Sequence, residues 1–207
     1  AADVASLVDA CMARFGRIDI LVNNVGRSEP GDPVTMDEAV WDEQLDVNLK
    51  AAFLTCKHVL PVMERQGGGS VVNISSIAGL YANPNFAYSA AKAAVISHSK
   101  SLAIELAPSR IRVNVVCPGS IFLPDGLWDQ VRQRDPERFQ AVVDNIPSGR
   151  MGHPQEVADA VARLRARGRR GSRSDPAAAR HEAARAAPGA ARRRGGGVVA
   201  AGGGGAV

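Results

Sequence analysis

The sequence is poor in aromatic residues and cysteine, and it has no long apolar run. Tryptophan, tyrosine and phenylalanine together make up 4% of the 207 residues. The three cysteines, Cys11, Cys56 and Cys117, lack metal-ligand spacing, so they indicate neither a disulfide framework nor a metal site. No signal peptide is recognisable, and no segment is apolar for long enough to cross a bilayer. We therefore expect a cytoplasmic protein that does not contact a membrane.

Charge is distributed unevenly along the chain. The net charge is +4, but residues 1–161 hold 14 basic and 19 acidic residues. Residues 162–207 hold 11 arginines against Asp175 and Glu182. The hydrophobic fraction of 45% is ordinary for a globular protein. These differences predict a domain over residues 1–161 and an Ala/Gly/Arg-rich tail over residues 162–207.

The tail allows three interpretations. Its composition is what a GC-rich gene gives when it is read out of frame, but a native Arg/Gly-rich segment or an extension without function would look similar. In each case few apolar residues are available for burial, so we expect disorder. Arginines can contact nucleic-acid phosphates, yet the tail contains no aromatic residue for base stacking and the body is acidic. We therefore do not expect nucleic acid as a partner.

Apolar periodicity alternates between helix and strand along the body. Short runs of branched apolar residues indicate strands buried on both faces at residues 18–22, 70–74 and 111–116. Helical spacing predicts helices at residues 4–15, 42–66 and 88–107, and a last helix that begins at Pro154. Thr35 and Glu38 have the spacing of a capping box, which predicts a helix start near Met36. The alternation predicts an α/β fold with a doubly wound parallel sheet.

Polar or turn-forming residues follow each predicted strand. Asn24, Ser76 and Pro118 stand at the carboxyl ends of the three strands. Ligands of open parallel sheets bind beyond these ends. The sequence therefore predicts a binding site at this edge of the sheet.

Tyr88, Lys92 and Ser76 are the residues that point to a reaction. A tyrosine has an ordinary pKa near ~10, and a lysine four residues later on a helix lies on the same face, one turn away. Its positive charge favours the tyrosinate, so we expect Lys92 to lower the pKa of Tyr88. A tuned phenol can exchange a proton with a substrate oxygen that a serine hydroxyl holds in place. The three residues suit the interconversion of an alcohol and a carbonyl, with a cofactor that handles the hydride.

Further motifs accompany these residues in a fixed order. A Tyr-x-x-x-Lys motif alone is common by chance, whereas an ordered set is specific. The set closely resembles the short-chain dehydrogenase/reductase family, and in particular its 3-oxoacyl-carrier-protein reductases, over roughly residues 1–161. The motifs are Asn23-Asn24-Val25-Gly26, Val47-Asn48-Leu49, Ser75-Ser76, Tyr88-Ser89-Ala90-Ala91-Lys92 and Pro118-Gly119.

The resemblance implies a Rossmann-like fold and an NAD- or NADP-dependent reaction on a small-molecule alcohol or carbonyl substrate. It implies Tyr88 as the general acid/base, Ser76 as the residue that binds the substrate oxygen, and Asn48 as the holder of a water in a proton relay to Lys92. Lys92 would also bind the nicotinamide ribose, next to Tyr88. Many relatives are tetramers, so a homo-oligomer is expected. The other cofactor contacts would come from Asn23, Asn24, Val25 and Gly26 on the adenosine side and from Pro118, Gly119 and Ile121 at the nicotinamide.

The choice between Ser75 and Ser76 is open at this point. The family usually places its active serine three residues before a glycine, which selects Ser76 against Gly79. Its usual separation between serine and tyrosine selects Ser75 instead. The family also often has threonine at the position of Leu123.

Two features of the family pattern are not recognisable in the sequence. The Gly-rich phosphate-binding turn, with the residue that selects NAD or NADP, would precede position 1, and no final strand is apparent after residue 161. We therefore expect a truncated chain with an incomplete sheet. This suggests an alternative function: a catalytically inactive relative that acts at most by association, through helices that resemble the family's subunit interfaces. Titration with NADH or NADPH would discriminate between the two functions.

Overall fold

Helices and strands alternate along the chain, as the apolar periodicity predicts. The structure, a computed structural model, describes residues 2–82, 84–166 and 198–201. A π-helical turn, Asp46–Lys50, joins the helix that ends at Leu45 to the helix that begins at Ala51, and a 3-10 turn, Ile77–Gly79, follows the strand that ends at Ile74. The strands are β1 (Ile20–Asn23), β2 (Gly69–Ile74), β3 (Ile111–Pro118) and β4 (Val198–Ala201). The α-helices are α1 (Ala2–Phe15), α2 (Glu38–Leu45), α3 (Ala51–Gln66), α4 (Phe86–Glu105), α5 (Leu127–Arg134), α6 (Pro136–Asp144) and α7 (Pro154–Ala166).

The four strands form one parallel sheet in the order β1-β2-β3-β4. This arrangement confirms the predicted α/β class with a parallel sheet. One expectation is wrong. The sequence shows no recognisable strand after residue 161, but in the structure Val198 and Val199 pair with Val115 and Val116 of β3. Two successive valines are the strand signal in this Ala/Gly-rich stretch. Apart from β4 and the end of α7, the predicted disordered tail lies outside the described residues.

The central strand β2 separates two packed layers. Val71 packs in a core with Val59 and Met63 of α3. Val72, the next residue, packs on the opposite face with Val157 and Val161 of α7. Successive strand residues point to opposite faces, and each fully buried aliphatic side chain stabilises the fold by roughly 1.5–3 kcal/mol. The sheet is thus fixed between α1, α3 and α4 on one side and α7 on the other.

Strand β1 is less buried than its sequence predicts. Leu21 packs against the core that contains Val71, but Ile20 and Val22 are 38% and 42% exposed. The prediction of burial on both faces is therefore wrong for this strand. In the described part of the chain β1 lies at the edge of the sheet, and helices cover only one of its faces.

The predicted capping box does not form. Helix α2 begins at Glu38 rather than near Met36. Asp32 caps the preceding turn instead, because its Oδ1 accepts hydrogen bonds from the backbone N–H groups of Val34 (2.8 Å) and Thr35 (3.2 Å). An aspartate that bonds to backbone two and three residues ahead stabilises a turn in competition with helix. Thr35 therefore belongs to the loop before α2.

Candidate active site

The predicted catalytic residues lie where the end of β2 meets the start of α4. Ser76 follows β2 in extended conformation (φ −161°, ψ 157°), and its hydroxyl accepts a hydrogen bond from the N–H of Ala78 (3.2 Å). This bond starts the 3-10 turn that carries the chain away from the sheet. Tyr88 and Lys92 lie in the first two turns of α4, four residues apart. The structure therefore brings the three residues to one place.

Gly79 controls the distance between this turn and α4. A Cβ atom on Gly79 would lie 2.7 Å from both the carbonyl carbon of Lys92 and the backbone nitrogen of Ala93. Only a residue without a side chain permits so close an approach of two backbones. Gly79 therefore allows the segment that carries Ser76 to approach the helix that carries Tyr88.

The two candidate serines have different surroundings. Ser75 is buried, and its hydroxyl donates a hydrogen bond to the backbone oxygen of Lys92 (2.7 Å). Ser76 is less buried, and its hydroxyl lies near the phenol of Tyr88. Ser75 thus ties β2 to α4, whereas Ser76 faces the tyrosine. The geometry favours Ser76 for contact with a substrate oxygen.

The ionisation of Tyr88 differs from the prediction. Burial raises the pKa of the phenol above its ordinary value, and the neighbouring Ser76 hydroxyl opposes this rise. The Nζ of Lys92 lies 5.5 Å from the centre of the Tyr88 ring, yet the pKa is not lowered overall. The prediction that Lys92 produces a lowered pKa is therefore wrong for this structure, because desolvation outweighs the favourable groups.

Lys92 is a buried lysine, with only 3% of its surface exposed. Its ammonium donates a hydrogen bond to the backbone oxygen of Ile74 (3.1 Å), the last residue of β2. Burial lowers the pKa of Lys92 to about 8, and the neighbouring Cys117 partly opposes the lowering. A lysine with such a pKa changes its protonation state close to neutral pH, which is a common property of residues in active sites.

Asn48 lies in the π-helical turn and faces Lys92 across Gly26. Its Nδ2 donates to the backbone oxygens of Arg27 (2.8 Å) and Gln44 (2.9 Å). Its Oδ1 is buried and has no hydrogen-bond partner among the described residues. A Cβ atom on Gly26 would lie 2.7 Å from this Oδ1 and 2.8 Å from the Nζ of Lys92. The missing side chain therefore leaves a small polar space between the amide and the ammonium.

Asn23 belongs to a buried hydrogen-bond network that we call the amide ladder: Thr55, Asn23, Asn73 and Ser99. Thr55 Oγ1 donates to Asn23 Oδ1 (2.6 Å), Asn23 Nδ2 donates to Asn73 Oδ1 (2.8 Å), and Asn73 Nδ2 donates to Ser99 Oγ (2.7 Å). The amide of Asn23, a predicted cofactor contact, is therefore engaged within the protein. The other three members are not predicted from the sequence, although an asparagine inside a predicted strand, Asn73, is an unusual signal.

Most of the other predicted cofactor contacts line one cleft of about 1020 Å³, which extends from the exposed face of β1 to α7 and includes the ends of β1 and β3. Asn24 and Gly26 lie on the side of β1, and Pro118 and Ile121 lie on the side of β3. A parallel bridge between Ile121 and Gly152 holds this segment next to the start of α7. Val25 is exposed beside Asn24 and Gly26, and Gly119 follows Pro118 directly. Leu123 also lines the cleft.

Comparison with known proteins gives the same result as the motifs. A family model described as enoyl-(acyl carrier protein) reductase matches residues 1–171. The chain belongs to the short-chain dehydrogenase/reductase family. The chain is 41% identical over 160 residues to the 3-oxoacyl-[acyl-carrier-protein] reductase FabG of Thermotoga maritima, with 76% of this chain covered. It is 43% identical over 163 residues to the 2-(R)-hydroxypropyl-CoM dehydrogenase of Xanthobacter autotrophicus, with 77% covered.

A solved structure confirms the Rossmann-like fold of this short-chain dehydrogenase/reductase. The crystal structure of a family member from Burkholderia xenovorans is 44% identical and superposes with a TM-score of 0.71, over 79% of this chain and 62% of that one. The chain spans 63% and 64% of the lengths of the Thermotoga and Xanthobacter relatives. The family match also extends ten residues beyond the predicted domain boundary at residue 161, to residue 171.

Two wider features of the described residues bear on function. None of the helices in the described ranges is long and apolar enough to cross a membrane. Within the same ranges, no three histidine, cysteine or acidic side chains are grouped so that they could hold a metal ion.

Proposed function

We propose that the protein is an NAD(P)-dependent oxidoreductase that interconverts an alcohol and a carbonyl, with Tyr88 as general acid/base. The observation that carries this proposal is the convergence of Ser76 and Lys92 on Tyr88. The Ser76 hydroxyl lies close enough to oppose the rise in the pKa of the phenol, and the buried ammonium lies 5.5 Å from the ring centre. Family membership supports the same reaction class.

Each residue has a separate part in the proton transfer. Tyr88 donates its proton to the carbonyl oxygen during reduction and takes it back during oxidation. Ser76 holds that oxygen, and the positive charge of Lys92 stabilises the tyrosinate. Asn48 offers its unpaired Oδ1 to a water between itself and Lys92, which would return a proton to the site. The nicotinamide, when bound, supplies or accepts the hydride.

The part of the cleft at the ends of β1 and β3 is the proposed place of a nicotinamide cofactor. It is mostly apolar, it runs from Asn24 and Gly26 to Pro118 and Ile121, and Lys92 stands beside Gly26. Lys92 and Tyr88 would bind the ribose, and Pro118, Gly119 and Ile121 would contact the nicotinamide. Asn24, Val25 and Gly26 would lie on the adenosine side. Asn23 would contribute through its backbone, since its side chain is held in the amide ladder. Either NAD or NADP is compatible with these contacts.

The substrate is proposed to be a small-molecule alcohol or carbonyl compound with an apolar part. Phe122 and Phe139 pack edge to face, with ring centres 6.2 Å apart. The guanidinium of Arg132 lies 4.9 Å from the centre of the Phe122 ring, and Arg132 is also paired with Asp129 (2.7 Å). These contacts build a fixed aromatic wall in the segment that follows β3.

The protein is also proposed to be a cytoplasmic homo-oligomer. The three cysteines are free thiols, as expected in a reducing compartment. On the outer surface of α3 and α4, Phe53 is 46% exposed and packs against His98. Together with Leu49 and Ala94 they line a groove of about 590 Å³. An exposed aromatic residue beside an apolar groove suits association with a second copy.

Replacement of Tyr88 by phenylalanine tests the proposed reaction. We expect Tyr88→Phe to lower turnover of a carbonyl substrate with NADH or NADPH by about 10²–10⁴-fold, the usual contribution of a general acid/base. Tyr81→Phe is the matched control, because Tyr81 is 55% exposed and is not part of the site. Steady-state kinetics of both variants is the measurement. Full turnover by Tyr88→Phe would exclude Tyr88 as the general acid/base.

A further inference from the structure

Gln44 is a buried polar residue to which the proposed reaction gives no role. It lies on α2, one turn before Asn48, and its exposed fraction is 0%. A buried amide costs stability unless both of its ends find partners. In Gln44 the oxygen has partners, whereas Nε2 is buried without one among the described residues.

The side-chain and backbone oxygens of Gln44 contact the side-chain amide of Asn48 and the backbone of Glu29. Its Oε1 accepts a hydrogen bond from the backbone N–H of Glu29 (3.3 Å) and lies 3.5 Å from Nδ2 of Asn48. Its backbone oxygen accepts a hydrogen bond from the same Nδ2 (2.9 Å). Gln44 thus contacts both Asn48 and the loop that follows Gly26.

This loop, residues 27–29, is bonded at one end to Asn48 of the π-helical turn and at the other end to Gln44 of α2. Asn48 Nδ2 donates to the backbone oxygen of Arg27 (2.8 Å), and Gln44 Oε1 holds the N–H of Glu29. The guanidinium of Arg27 also pairs with the carboxylate of Glu43 on α2. The position of the Arg27 oxygen, which orients Asn48, therefore depends on the attachment of the loop to Gln44.

The two protons on Asn48 Nδ2 are both directed at backbone oxygens, so the Oδ1 must point to the other side, towards Gly26 and Lys92. We propose that Gln44 is a positioning residue, which fixes loop 27–29 and thereby the direction in which Asn48 presents its Oδ1. This inference deepens the proposed function, since it concerns the residue that would hold the relay water.

A comparison of two glutamine variants tests the inference. Gln44→Met keeps the side-chain length and removes the acceptor for Glu29. The matched control is Gln66→Met, because the amide of Gln66 also holds a backbone segment, with hydrogen bonds to the N–H (2.8 Å) and oxygen (2.9 Å) of Ile18. Gln66 lies at the opposite end of α3 from Asn48.

The first readout is hydrogen exchange of the Asn48 side-chain amide, measured by NMR without substrate. We expect Gln44→Met to accelerate this exchange about tenfold, the effect of losing roughly one hydrogen bond, with a thermal midpoint no lower than that of Gln66→Met. Gln66→Met should lower the thermal midpoint and leave the Asn48 exchange unchanged.

The second readout is turnover, where Gln44→Met should lower kcat about tenfold. Unchanged Asn48 exchange in Gln44→Met would overturn the inference, as would equal acceleration in Gln66→Met. The exchange result does not depend on activity. If the protein turned over no substrate, the proposed reaction would fail, while the positioning role of Gln44 would still be decided.

Discussion

Two clusters of polar side chains lie next to each other in this molecule, and they differ in how completely their hydrogen bonds are formed. In the amide ladder, Asn23 and Asn73 bond to each other and to the hydroxyls of Thr55 and Ser99. The Ser99 hydroxyl in turn donates to the backbone oxygen of Val95 (2.6 Å). The ladder therefore joins α3, β1, β2 and α4 with satisfied hydrogen bonds.

The second group, Asn48, Ser76, Tyr88 and Lys92, joins nearby parts of the same elements with bonds that are incomplete. Asn48 Oδ1 has no partner in the described part of the chain. Burial shifts the pKa of Tyr88 upwards and the pKa of Lys92 downwards to about 8. Polar burial by itself therefore does not mark an active site. The candidate site combines an unpaired amide oxygen with shifted pKa values, and both cost stability that other contacts must offset.

The largest effect on stability is expected from breaking the amide ladder. Asn73→Ala leaves a donor of Asn23 without an acceptor and creates a small cavity beside Ser99. We expect the free energy of unfolding to fall by roughly 3–4 kcal/mol, the combined effect of an unsatisfied buried group and a cavity. Urea unfolding followed by circular dichroism measures the change.

Asn114→Ala is the matched control for this prediction. Asn114 lies on β3 opposite Val72 and is only partly buried. Its replacement should change the free energy of unfolding by less than about 1 kcal/mol. Equal losses in the two variants would show that the ladder has no special stabilising role.

The next prediction is an increase in the free energy of unfolding, not a decrease. Lys92→Met removes a buried ammonium, and we expect the ligand-free protein to gain up to about 3 kcal/mol at pH 7, because a pKa unit corresponds to about 1.4 kcal/mol and the pKa falls from 10.5 to about 8. Turnover should be lost at the same time. A residue whose removal increases stability but abolishes activity is characteristic of a functional site.

The pH dependence of this gain follows from proton linkage. The folded pKa of Lys92 lies below the unfolded value, so between about pH 8 and 10.5 the unfolded chain binds more protons than the folded one. The lysine therefore destabilises the fold fully below pH 8, and this cost disappears as the pH rises towards 10.5. The difference between the two proteins in urea should shrink over that window. A constant difference would contradict the assigned pKa.

Much of this arrangement could be predicted from local sequence. The alternation of helices and strands, the position of Tyr88 and Lys92 on one helix face, and the placement of Ser76 after a strand all depend on short-range periodicity. The residues that form the ladder could not be predicted as a network. Asn23 and Asn73 are 50 positions apart, and they meet only because the strands pair in one particular register.

The predictions that were wrong concern strand burial, the pKa of Tyr88 and a capping box, and each depends on contacts that the pattern used for the prediction does not contain. Ile20 and Val22 have the sequence of a buried strand, but burial depends on which strands and helices stand beside them. The pKa of Tyr88 depends on how much water reaches the phenol, and the spacing to Lys92 contains no information about this. The failed capping box reflects competition from Asp32, whose local hydrogen bonds keep Thr35 in a turn.

The smallest expected effects distinguish Ser75 from Ser76. These adjacent residues allow a comparison between a serine that supports the structure and a serine that would contact the substrate. Ser75→Ala removes the hydrogen bond to the backbone oxygen of Lys92, so the free energy of unfolding should fall by about 1 kcal/mol, with most of the turnover retained. Ser76→Ala removes the group that opposes the rise in the pKa of Tyr88, so that pKa should rise further and turnover should fall. Titration of the phenol by ultraviolet absorbance, together with kinetics, measures both. If Ser75→Ala raised the pKa of Tyr88 and Ser76→Ala did not, the roles of the two serines would have to be exchanged.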